Sequence, residues 1–350
     1  MGRLVRFSGP RQAEVVDVDD EPLGPGQVRL TTAWSGISAG TELTAYRGTN
    51  PYLSNRWDAE RRLFVPGEAT HTYPLDAWGY EEVGWVSELG PGVDPALAGA
   101  LVWGTWGHRS SVVRDAAWVA PRVMPAGAQD ITGVFAKIGA IALNAVLDAD
   151  IHVGEAVVVF GGGVPGQLTA QLARLNGADV VVVDPVAIRR NTAADLGAAH
   201  VLDPVSQDIA VQVRELTDGR GADVAIEMSG NHGALHEAVR SVAYSSRVVA
   251  AGFYQGGADA VRLGEEFHHN RVAIVGSQIS GVAPALQHRW DELRMSRTVL
   301  DLARRGSIDL VGLISHTVPA DEAPAAFEML DADQDVLQVV LDYRAEADVV

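Results

Sequence analysis

The sequence predicts an α/β protein with two domains, a β-rich domain followed by a doubly wound parallel sheet. Three observations support this fold class. The chain has 350 residues, more than the roughly 250–300 at which one hydrophobic core usually stops growing. Its first third alternates polar and apolar residues between Gly/Pro turns, as half-buried antiparallel strands do. From residue 130 onward, short apolar runs alternate with helical patterns, which is typical of parallel sheets.

Two strands are clear in the β-rich part. Residues 27–34 and 82–89 alternate polar and apolar types, and Gly/Pro turns bound them. The stretch 44–78 between them is irregular and holds six aromatic residues: Tyr46, Tyr52, Trp57, Phe64, Tyr73 and Trp78. Two interpretations stay open for so long a loop. Its rings either pack as a satellite of the core or line a substrate-binding wall.

The remainder of the chain alternates strands with helices. A long apolar helix is expected at 130–150, then a strand at 157–160, a helix at 164–176, a strand at 180–183 and a helix at 186–196. Later strands are expected at 222–227, 246–252 and 272–276, with helices between them. Helices at 290–305 and 321–330 and a strand at 337–343 complete the pattern. This spacing predicts a parallel sheet with helical crossovers.

A glycine motif follows the strand at 157–160. Gly161, Gly163 and Gly166 fit G-x-G-x-x-G, and Val164 and Pro165 open the next helix. In this context Gly161 allows a tight turn, Gly163 lets a pyrophosphate approach the backbone, and Gly166 lets the helix pack on the strand. The phosphates would lie at the helix N-terminus, where N–H groups attract anions. The motif therefore predicts a dinucleotide-binding Rossmann domain.

Asp184 ends the second strand of this domain. A carboxylate there accepts hydrogen bonds from the adenosine ribose and repels a 2′-phosphate, which favours NAD over NADP. Arg189 and Arg190 follow on the next helix and oppose that selectivity. We expect NAD as the cofactor, with Asp184 and Arg189 among the residues that contact it.

Composition and charge exclude several classes of function. The chain has no cysteine, which excludes disulfides, iron–sulfur clusters, thiolate zinc sites and a cysteine nucleophile. With 27 basic and 45 acidic residues the formal net charge is −18, so nucleic acid and anionic membranes are disfavoured as partners. The first residues show no signal-peptide core, so a cytoplasmic location is expected. We expect a small-molecule substrate.

The sequence resembles the medium-chain dehydrogenase/reductase superfamily, which includes zinc alcohol, sorbitol and threonine dehydrogenases. The residues that carry the resemblance are 35–43 (SGISAGTEL), 79–84 (GYEEVG), 152–155 (HVGE), the glycine motif and 196–199 (LGAA). The variants at 38–42 and 79–81 are most similar to the branch of bacteriochlorophyllide hydroxyethyl dehydrogenases. The resemblance implies a GroES-like β-rich catalytic domain at 1–137 and 281–350, a Rossmann domain at 138–280, and a homodimer or higher homo-oligomer.

The matching positions do not hold the zinc ligands of that family. This chain has Ala39 and Tyr80 at the first two ligand positions, and the third falls near Ala136. Alanine offers no ligand atom, and a neutral tyrosine is a poor zinc ligand. A dependable ligand spacing is also lacking among the other candidates, which are Glu68, His71, His108, His268, His269 and His316. We therefore expect no metal.

Without zinc, a protein group must bind the substrate oxygen and exchange its proton. Tyr80 and Glu81 occupy former metal-site positions, and Thr41 matches the hydroxyl of the family's proton relay. Lys137, the only lysine, lies beside the third vacant position. A nearby ammonium favours a phenolate, so we hypothesise a Tyr80–Lys137 acid/base pair with Glu81 and Thr41 as polar neighbours. In the alternative interpretation, Lys137 is a helix-surface cation and Tyr80 only fills the old cavity.

The resemblance also implies the nicotinamide contacts. Pro165 is expected behind the ring, and residues at strand ends are expected around the ribose and carboxamide: Met228, Ser229, Gly230, Ala251, Gly252, Phe253, Gly276 and Ser277. We expect a zinc-independent, NAD(H)-dependent oxidoreductase that interconverts a secondary alcohol and a ketone on a fairly bulky substrate. Two alternatives remain: a zinc-free enoyl or quinone reductase, and a catalytically silent NAD-binding protein.

Overall fold

A computed structural model describes residues 1–344 of the chain. The chain forms two compact units. Of the described residues, the first unit comprises Met1–Lys137 together with residues 310–344, and the second comprises Ile138–Asp309.

The first unit is built mainly from strands. Up to residue 137 its strands and short helices are β1 (Gly2–Gly9), β2 (Gln12–Val18), β3 (Gln27–Ile37), α1 (Ala39–Arg47), β4 (Asn55–Asp58), β5 (Leu63–Pro66), β6 (Leu75–Asp76), β7 (Glu81–Leu89), β8 (Leu101–Gly104), β9 (Ser111–Asp115) and α2 (Ala116–Val119).

Helices and strands then alternate through the second unit. They are α3 (Phe135–Ala149), β10 (Ala156–Phe160), α4 (Val164–Leu175), β11 (Asp179–Val183), α5 (Ala187–Asp195), β12 (His200–Leu202), α6 (Ile209–Leu216), β13 (Ala222–Glu227), α7 (His232–Ser241), β14 (Val242–Ala250), β15 (Ala273–Gly276) and α8 (Glu292–Arg304). The chain then returns to the first unit with β16 (Ile314–Pro319), α9 (Ala323–Ala332) and β17 (Gln338–Asp342).

The main sheet of the first unit has the order β16-β17-β3-β7-β8, with β9 also paired to β3. All of these pairs are antiparallel except β16 with β17. Alternate residues of the central strands face a core, where Val28, Leu30 and Val86 are buried together. A smaller sheet, β2-β1-β6, and the hairpin β4–β5 complete the unit. The predicted β-rich domain is confirmed.

The second unit is a parallel sheet with the order β12-β11-β10-β13-β14-β15. Its central strands are continuous apolar runs, because helices cover both faces of such a sheet. The order reverses at β10, where β11 continues to one side and β13 to the other. Open α/β sheets bind ligands outside the carboxyl ends of the strands at such a switch point. The predicted doubly wound Rossmann sheet is confirmed.

The stretch 44–78 is more regular than the sequence predicts. It contains the end of α1, a 3₁₀ turn at Pro51–Leu53, and strands β4, β5 and β6. Trp57 pairs with Phe64 across the β4–β5 hairpin. Sequence reasoning predicted neither this hairpin nor β1–β2. The two strands of the hairpin have four residues each, which is too short to show a clear alternation.

Two boundaries also differ from the expected ones. The apolar helix expected at 130–150 begins with 3₁₀ turns at Asp130–Val134 and becomes α-helical only at Phe135. The strand expected at 246–252 ends at Ala250, because the next two N–H groups both donate to the Glu227 carbonyl oxygen at 2.9 Å.

The expected return to the first unit at residue 281 is wrong, since the second unit extends to Asp309. Two contacts explain this. Gly139 of α3 lies so close to α8 that a Cβ there would be 2.5 Å from Val299 Cγ1. Gln171 of α4 also holds the backbone of Asp309, accepting its N–H at 2.7 Å and donating to its carbonyl oxygen at 3.1 Å.

One helical stretch, Asp130–Ala149, has the length and apolar composition that a membrane span would need. Most of it is buried inside the structure, as is usual for the core helix of a soluble protein.

Candidate functional site

The glycine turn between β10 and α4 has the geometry that a dinucleotide needs. Gly161 adopts a φ of +95°, and its N–H donates to the Val183 carbonyl oxygen at 2.8 Å. A Cβ on Gly166 would lie 1.7 Å from the Gly161 carbonyl oxygen, so only glycine lets α4 start this close to the strand. Beside Gly163 there is space, because a Cβ there would meet only Pro165 Cδ, at 4.0 Å. A pyrophosphate fits that open position.

The start of α4 supplies the groups that would hold the phosphates. Gly163 is its N-cap residue, and Val164 and Pro165 form its first turn. The first helical hydrogen bond runs from Gln167 N to Gly163 O at 2.9 Å, so the preceding N–H groups have no partner within the helix. These N–H groups and the helix dipole favour an anion.

Asp184 is buried directly after β11, against the glycine turn. Its carboxylate accepts the Gly162 N–H at 2.7 Å and the Val186 N–H at 2.8 Å. Arg189 Nη1 lies 3.9 Å from the same carboxylate. The buried Arg189 Nε has no hydrogen-bond partner among the described residues. The predicted ribose-site residues thus lie together beside the glycine turn.

The residues predicted to contact the nicotinamide lie at the ends of three neighbouring strands. Met228–Gly230 follow β13, Ala251–Phe253 follow β14, and Gly276 and Ser277 lie at the end of β15. The three strands are adjacent and parallel, so their carboxyl ends form one edge of the sheet. The described geometry fits a dinucleotide that extends from the glycine turn along this edge.

Glu227, the last residue of β13, holds these loops together, and sequence reasoning missed it. Its Oε1 accepts the Ser229 N–H at 2.8 Å and the Ser229 hydroxyl, and its Oε2 accepts the Gly230 N–H at 3.1 Å and the Tyr254 hydroxyl. Burial raises the pKa of Glu227, although these hydrogen bonds oppose the rise. The sequence did contain a signal for this role, since Glu227 is a carboxylate at the end of an apolar strand. A carboxylate buried at such a position needs hydrogen-bond donors around it.

In the first unit, three of the residues predicted to replace zinc lie around the start of α1. Tyr80 Oη is 2.5 Å from Ser38 Oγ and donates to Thr41 Oγ1 at 3.4 Å. Glu81 is buried, and its Oε2 accepts from Gln338 Nε2 at 3.1 Å. Glu81 Oε1 has no hydrogen-bond partner within the described part of the chain. The structure therefore brings Tyr80, Thr41 and Glu81 together, while their roles stay predictions.

The expected lowering of the Tyr80 pKa is wrong. Burial raises this pKa, and the carboxylates of Glu81 and Glu42 raise it further, against the hydrogen bonds to Ser38 and Thr41. The phenol therefore stays protonated at neutral pH. Lys137 lies half-buried near the start of α3. Its pairing with Tyr80 stays a prediction.

A buried chain of hydrogen bonds connects α1 with β3 and β7. His108 Nε2 lies 2.5 Å from Glu42 Oε2, and His108 Nδ1 lies 2.7 Å from Ser35 Oγ. Ser35 Oγ also donates to Glu82 Oε1 at 3.3 Å. His108, Glu42 and Glu82 are 0% exposed. Sequence reasoning considered His108 only as a metal ligand and missed Glu42 and Glu82. The adjacent Glu81 and Glu82 at the start of an apolar strand were a signal for Glu82.

The pKa values of His108, Glu82 and the neighbouring Glu81 are all raised. Burial disfavours the imidazolium of His108, but Glu42 and Glu82 outweigh it, so the pKa of His108 is raised. Burial raises the pKa of Glu82 to about 6, against the opposing effects of His108 and the Trp106 N–H. Burial, and then Glu42 and Glu82, raise the pKa of Glu81 well above its usual range.

The former zinc-ligand positions do not fit a zinc ion. Ala39 begins α1 and Ala136 is buried in α3, and neither side chain has a ligand atom. The Tyr80 hydroxyl, at the second position, is engaged with Ser38. The donor set at these positions therefore cannot form the Cys/His tetrahedron that zinc prefers.

Among the described residues, one group could bring three metal-ligating atoms together, with these atoms within 4.8 Å of one another. It consists of His236, Glu265 and Glu266 in the second unit. Both carboxylates already face a guanidinium, since Arg262 lies 3.4 Å from Glu265 and Arg240 lies 3.7 Å from Glu266. The histidines weighed from the sequence do not belong to this group.

A family model described as zinc-binding dehydrogenase matches residues 165–297. D-guloside 3-dehydrogenase of Escherichia coli (strain K12) is 30% identical over 333 residues, which cover 93% of this chain and 95% of that protein. L-threonine 3-dehydrogenase of Pyrococcus horikoshii is 28% identical over 354 residues, with 91% and 92% covered.

Solved structures of similar fold cover nearly the whole chain. 2R,3R-butanediol dehydrogenase from Bacillus subtilis has a TM-score of 0.79 at 20% identity, with 98% of this chain and 99% of that chain covered. A structure from Sinorhizobium meliloti 1021 bound to NADP has a TM-score of 0.77 at 22% identity and the same coverage. An alcohol dehydrogenase from E. coli CFT073 complexed with NADH has a TM-score of 0.78 at 20% identity, with 97% and 99% covered.

Proposed function

Because the chain belongs to the medium-chain dehydrogenase/reductase superfamily, we propose that it is an NAD(H)-dependent oxidoreductase that interconverts a secondary alcohol and a ketone without zinc. The observation that carries the proposal is the position of the Tyr80 hydroxyl. The hydroxyl lies 2.5 Å from Ser38 Oγ, and the resemblance matches Tyr80 to a zinc-ligand position of related dehydrogenases. The bacteriochlorophyllide branch and the homodimer or higher homo-oligomer, which rest on the resemblance, stay predictions, and so does the cytoplasmic location, which rests on the first residues of the chain.

In the proposed reaction the alcohol carbon loses a hydride, with two electrons, and the hydroxyl loses a proton. NAD⁺, which the glycine turn and the ends of β13, β14 and β15 would hold, would supply the hydride acceptor. The products are a ketone, NADH and one proton, and ketone reduction is the reverse. We assign the proton chemistry to Tyr80 and Glu81.

Tyr80 supplies the hydrogen bond to the substrate oxygen. Its pKa is raised, so the phenol carries its proton at neutral pH and can donate to a ketone oxygen as negative charge develops there. Ser38 Oγ, 2.5 Å away, positions the phenol oxygen, and the O–H turns from its long 3.4 Å bond to Thr41 Oγ1 toward the substrate oxygen. In this role the tyrosine stabilises the alkoxide that zinc stabilises in related enzymes.

Glu81 is the proton acceptor in alcohol oxidation. It is buried beside Tyr80, and its Oε1 lacks a hydrogen-bond partner among the described residues. Burial and the neighbouring Glu42 and Glu82 raise its pKa well above the usual carboxyl range. A raised pKa makes this carboxylate a stronger base than an ordinary glutamate.

Asp184 supports NAD as the preferred cofactor. A carboxylate fixed beside the glycine turn by two backbone N–H groups suits the ribose hydroxyls of NAD and repels the 2′-phosphate of NADP. The guanidinium of Arg189, 3.9 Å from that carboxylate, is partly neutralised by it.

The test is a turnover assay of the purified chain with NAD⁺ and NADP⁺ on cyclohexanol and methyl hexopyranosides, alongside cyclohexenone with NADH and NADPH. We expect alcohol oxidation with NAD⁺ that survives metal chelation. The Tyr80→Phe variant should lose about 100-fold in kcat, while Tyr244→Phe, a tyrosine 65% exposed in the second unit, should keep wild-type turnover.

Three outcomes would count against the proposal. Zinc in equimolar amount whose removal abolishes turnover would refute zinc independence. Reduction of cyclohexenone with NADPH as the dominant activity would favour an enoyl reductase. No turnover on any of these substrates would favour a silent NAD-binding protein.

A further inference from the structure

The hairpin β4–β5 and the segments beside it carry a continuous row of aromatic rings, here called the aromatic row. Its members, in spatial order, are Trp57, Phe64, Tyr52, His71 and Trp78. The centroids of successive rings are 4.9, 5.4, 5.9 and 5.0 Å apart. The ring contacts are tilted or edge-on, with interplanar angles of 54–89°.

The outer end of the row is exposed. Trp57 is 37% exposed and Phe64 is 46% exposed, although they pack on each other across the hairpin. By contrast Tyr46, from the same aromatic-rich stretch, is buried in the core with Phe7 and Phe327. Exposed apolar patches on soluble proteins often mark ligand-binding surfaces. The stretch therefore divides into a core part and a surface part.

Backbone hydrogen bonds hold the surface part in place. The Thr70 N–H donates to the Tyr52 carbonyl oxygen at 2.8 Å, and the His71 N–H donates to the same oxygen at 3.1 Å. The Trp57 N–H donates to Thr70 Oγ1 at 2.9 Å. These bonds tie the start of the row, the hairpin and the segment around His71 together. A preorganised surface loses less entropy when it binds a ligand.

The inner end of the row leads to the candidate catalytic residue. Trp78 contacts the His71 ring edge-on and is two residues before Tyr80. Gly79 between them has a φ of +141°, and a Cβ there would lie 2.9 Å from His108 Nε2. The row therefore begins at the exposed hairpin and ends at Trp78, two residues before Tyr80 in the chain.

The chemistry of the row suits a ring that has both an apolar face and polar edges. Its ring faces offer apolar area, while Tyr52, His71 and the two tryptophans also carry polar atoms at their edges. A pyranose has this character, because C–H bonds cover one face and hydroxyls surround its edge. A purely apolar ligand would instead favour a surface without such polar edges.

We propose that the aromatic row, with its exposed Trp57 and Phe64 end, is a stacking subsite for the sugar ring of a pyranoside substrate. The inference rests on the proposed function, and it names the substrate class of that site. A sugar would bind to the row by stacking on its rings, so this binding can be measured whether or not the protein turns the sugar over.

The test combines a binding assay with kinetics. Saturation-transfer NMR of methyl D-gulopyranoside and methyl D-glucopyranoside with the wild-type chain should show contacts to ring C–H protons. We expect Trp57→Ala/Phe64→Ala to weaken this binding and to raise KM for a turned-over pyranoside about tenfold, with kcat and the KM for cyclohexanol unchanged. Trp85→Ala is the matched control, since Trp85 is also exposed and lies on β7 outside the row.

The outcomes separate this inference from the proposed function. Pyranoside binding that is lost in the double variant, without any turnover, would support the row and refute the proposed function. Alcohol oxidation in which the double variant and Trp85→Ala behave alike would support the function and overturn the row. Failure of both pyranosides to bind the wild-type chain would also overturn the row. Circular dichroism of each variant shows whether the fold is kept.

Discussion

Glu42 Oε2 lies 2.5 Å from His108 Nε2, and both side chains are completely buried. The other Glu42 oxygen accepts the Ser38 N–H at 2.8 Å, and Ser38 Oγ contacts Tyr80 Oη. The pair therefore connects a buried histidine to the hydroxyl proposed to bind substrate. Removing one partner would leave the other buried without compensation, so the pair fixes the start of α1.

The buried cluster makes stability depend on pH. The folded-state pKa values of His108 and Glu82 lie above their ordinary values, so the folded state binds more protons and stability falls as pH rises. The Glu82 contribution is lost between its ordinary 4.5 and about 6, which corresponds to about 2 kcal/mol. The His108 contribution is lost at higher pH, above 6.5.

We therefore expect the free energy of unfolding, measured by urea denaturation in steps from pH 4.5 to pH 8, to fall as the pH rises. Glu82→Gln should remove the part of the slope below about pH 6. Glu88→Gln, an exposed carboxylate on the same strand, should leave the slope intact. Equal slopes in Glu82→Gln and wild type would contradict this assignment.

Glu81→Gln should abolish the proton acceptor while keeping the side-chain shape. We expect kcat for alcohol oxidation to fall by about 100-fold or more, with KM for NAD⁺ unchanged. In wild type the rate should rise with pH through a pKa above the usual carboxyl range, because burial and the Glu42 and Glu82 carboxylates raise the pKa of Glu81. The pH–rate profile of Glu81→Gln should lack that rise. A profile identical to wild type would exclude Glu81 as the base.

Asp184→Ser should shift cofactor preference from NAD toward NADP. The substitution removes the carboxylate that would repel a 2′-phosphate and releases Arg189, 3.9 Å away, to bind it. We expect NADH affinity to fall and NADPH affinity to rise, each by about tenfold, measured by fluorescence titration. Asp179→Ser, an exposed position at the start of the same strand, is the matched control. Unchanged preference in Asp184→Ser would show that the carboxylate does not select the cofactor.

The nucleotide site could be predicted because its determinants are local in sequence. Gly161, Gly163 and Gly166 follow one apolar strand and open one helix, so composition and order alone place them. Asp184 is equally local, as the residue after the next strand. The structure adds what spacing does not reveal, such as the hydrogen bond from Gly162 N to the Asp184 carboxylate.

The first-unit cluster could be predicted only in part, because its contacts join distant residues. Tyr80, Glu81 and Thr41 were located by their match to family positions. The Glu42–His108 contact joins residues 66 positions apart on different elements. A glutamate in the first turn of a helix is ordinarily a solvated charge near the positive end of the helix dipole. Nothing near Glu42 in sequence indicated that this one is buried against an imidazole.

Glu227→Gln tests whether one buried carboxylate organises the nicotinamide edge of the sheet. Glutamine has a single acceptor oxygen, so either the Ser229 N–H or the Gly230 N–H would face the amide NH₂ group. An unsatisfied buried donor costs about 1–3 kcal/mol, and the loops that follow β13 and β14 should loosen. We expect a lower Tm and NADH binding weakened by about tenfold, measured by thermal unfolding and fluorescence titration. Glu215→Gln, an exposed glutamate on α6, should change neither quantity. Glu227 is proposed to affect the cofactor only through these loops. NADH binding at the wild-type level together with a lower Tm would therefore show that Glu227 acts only in folding.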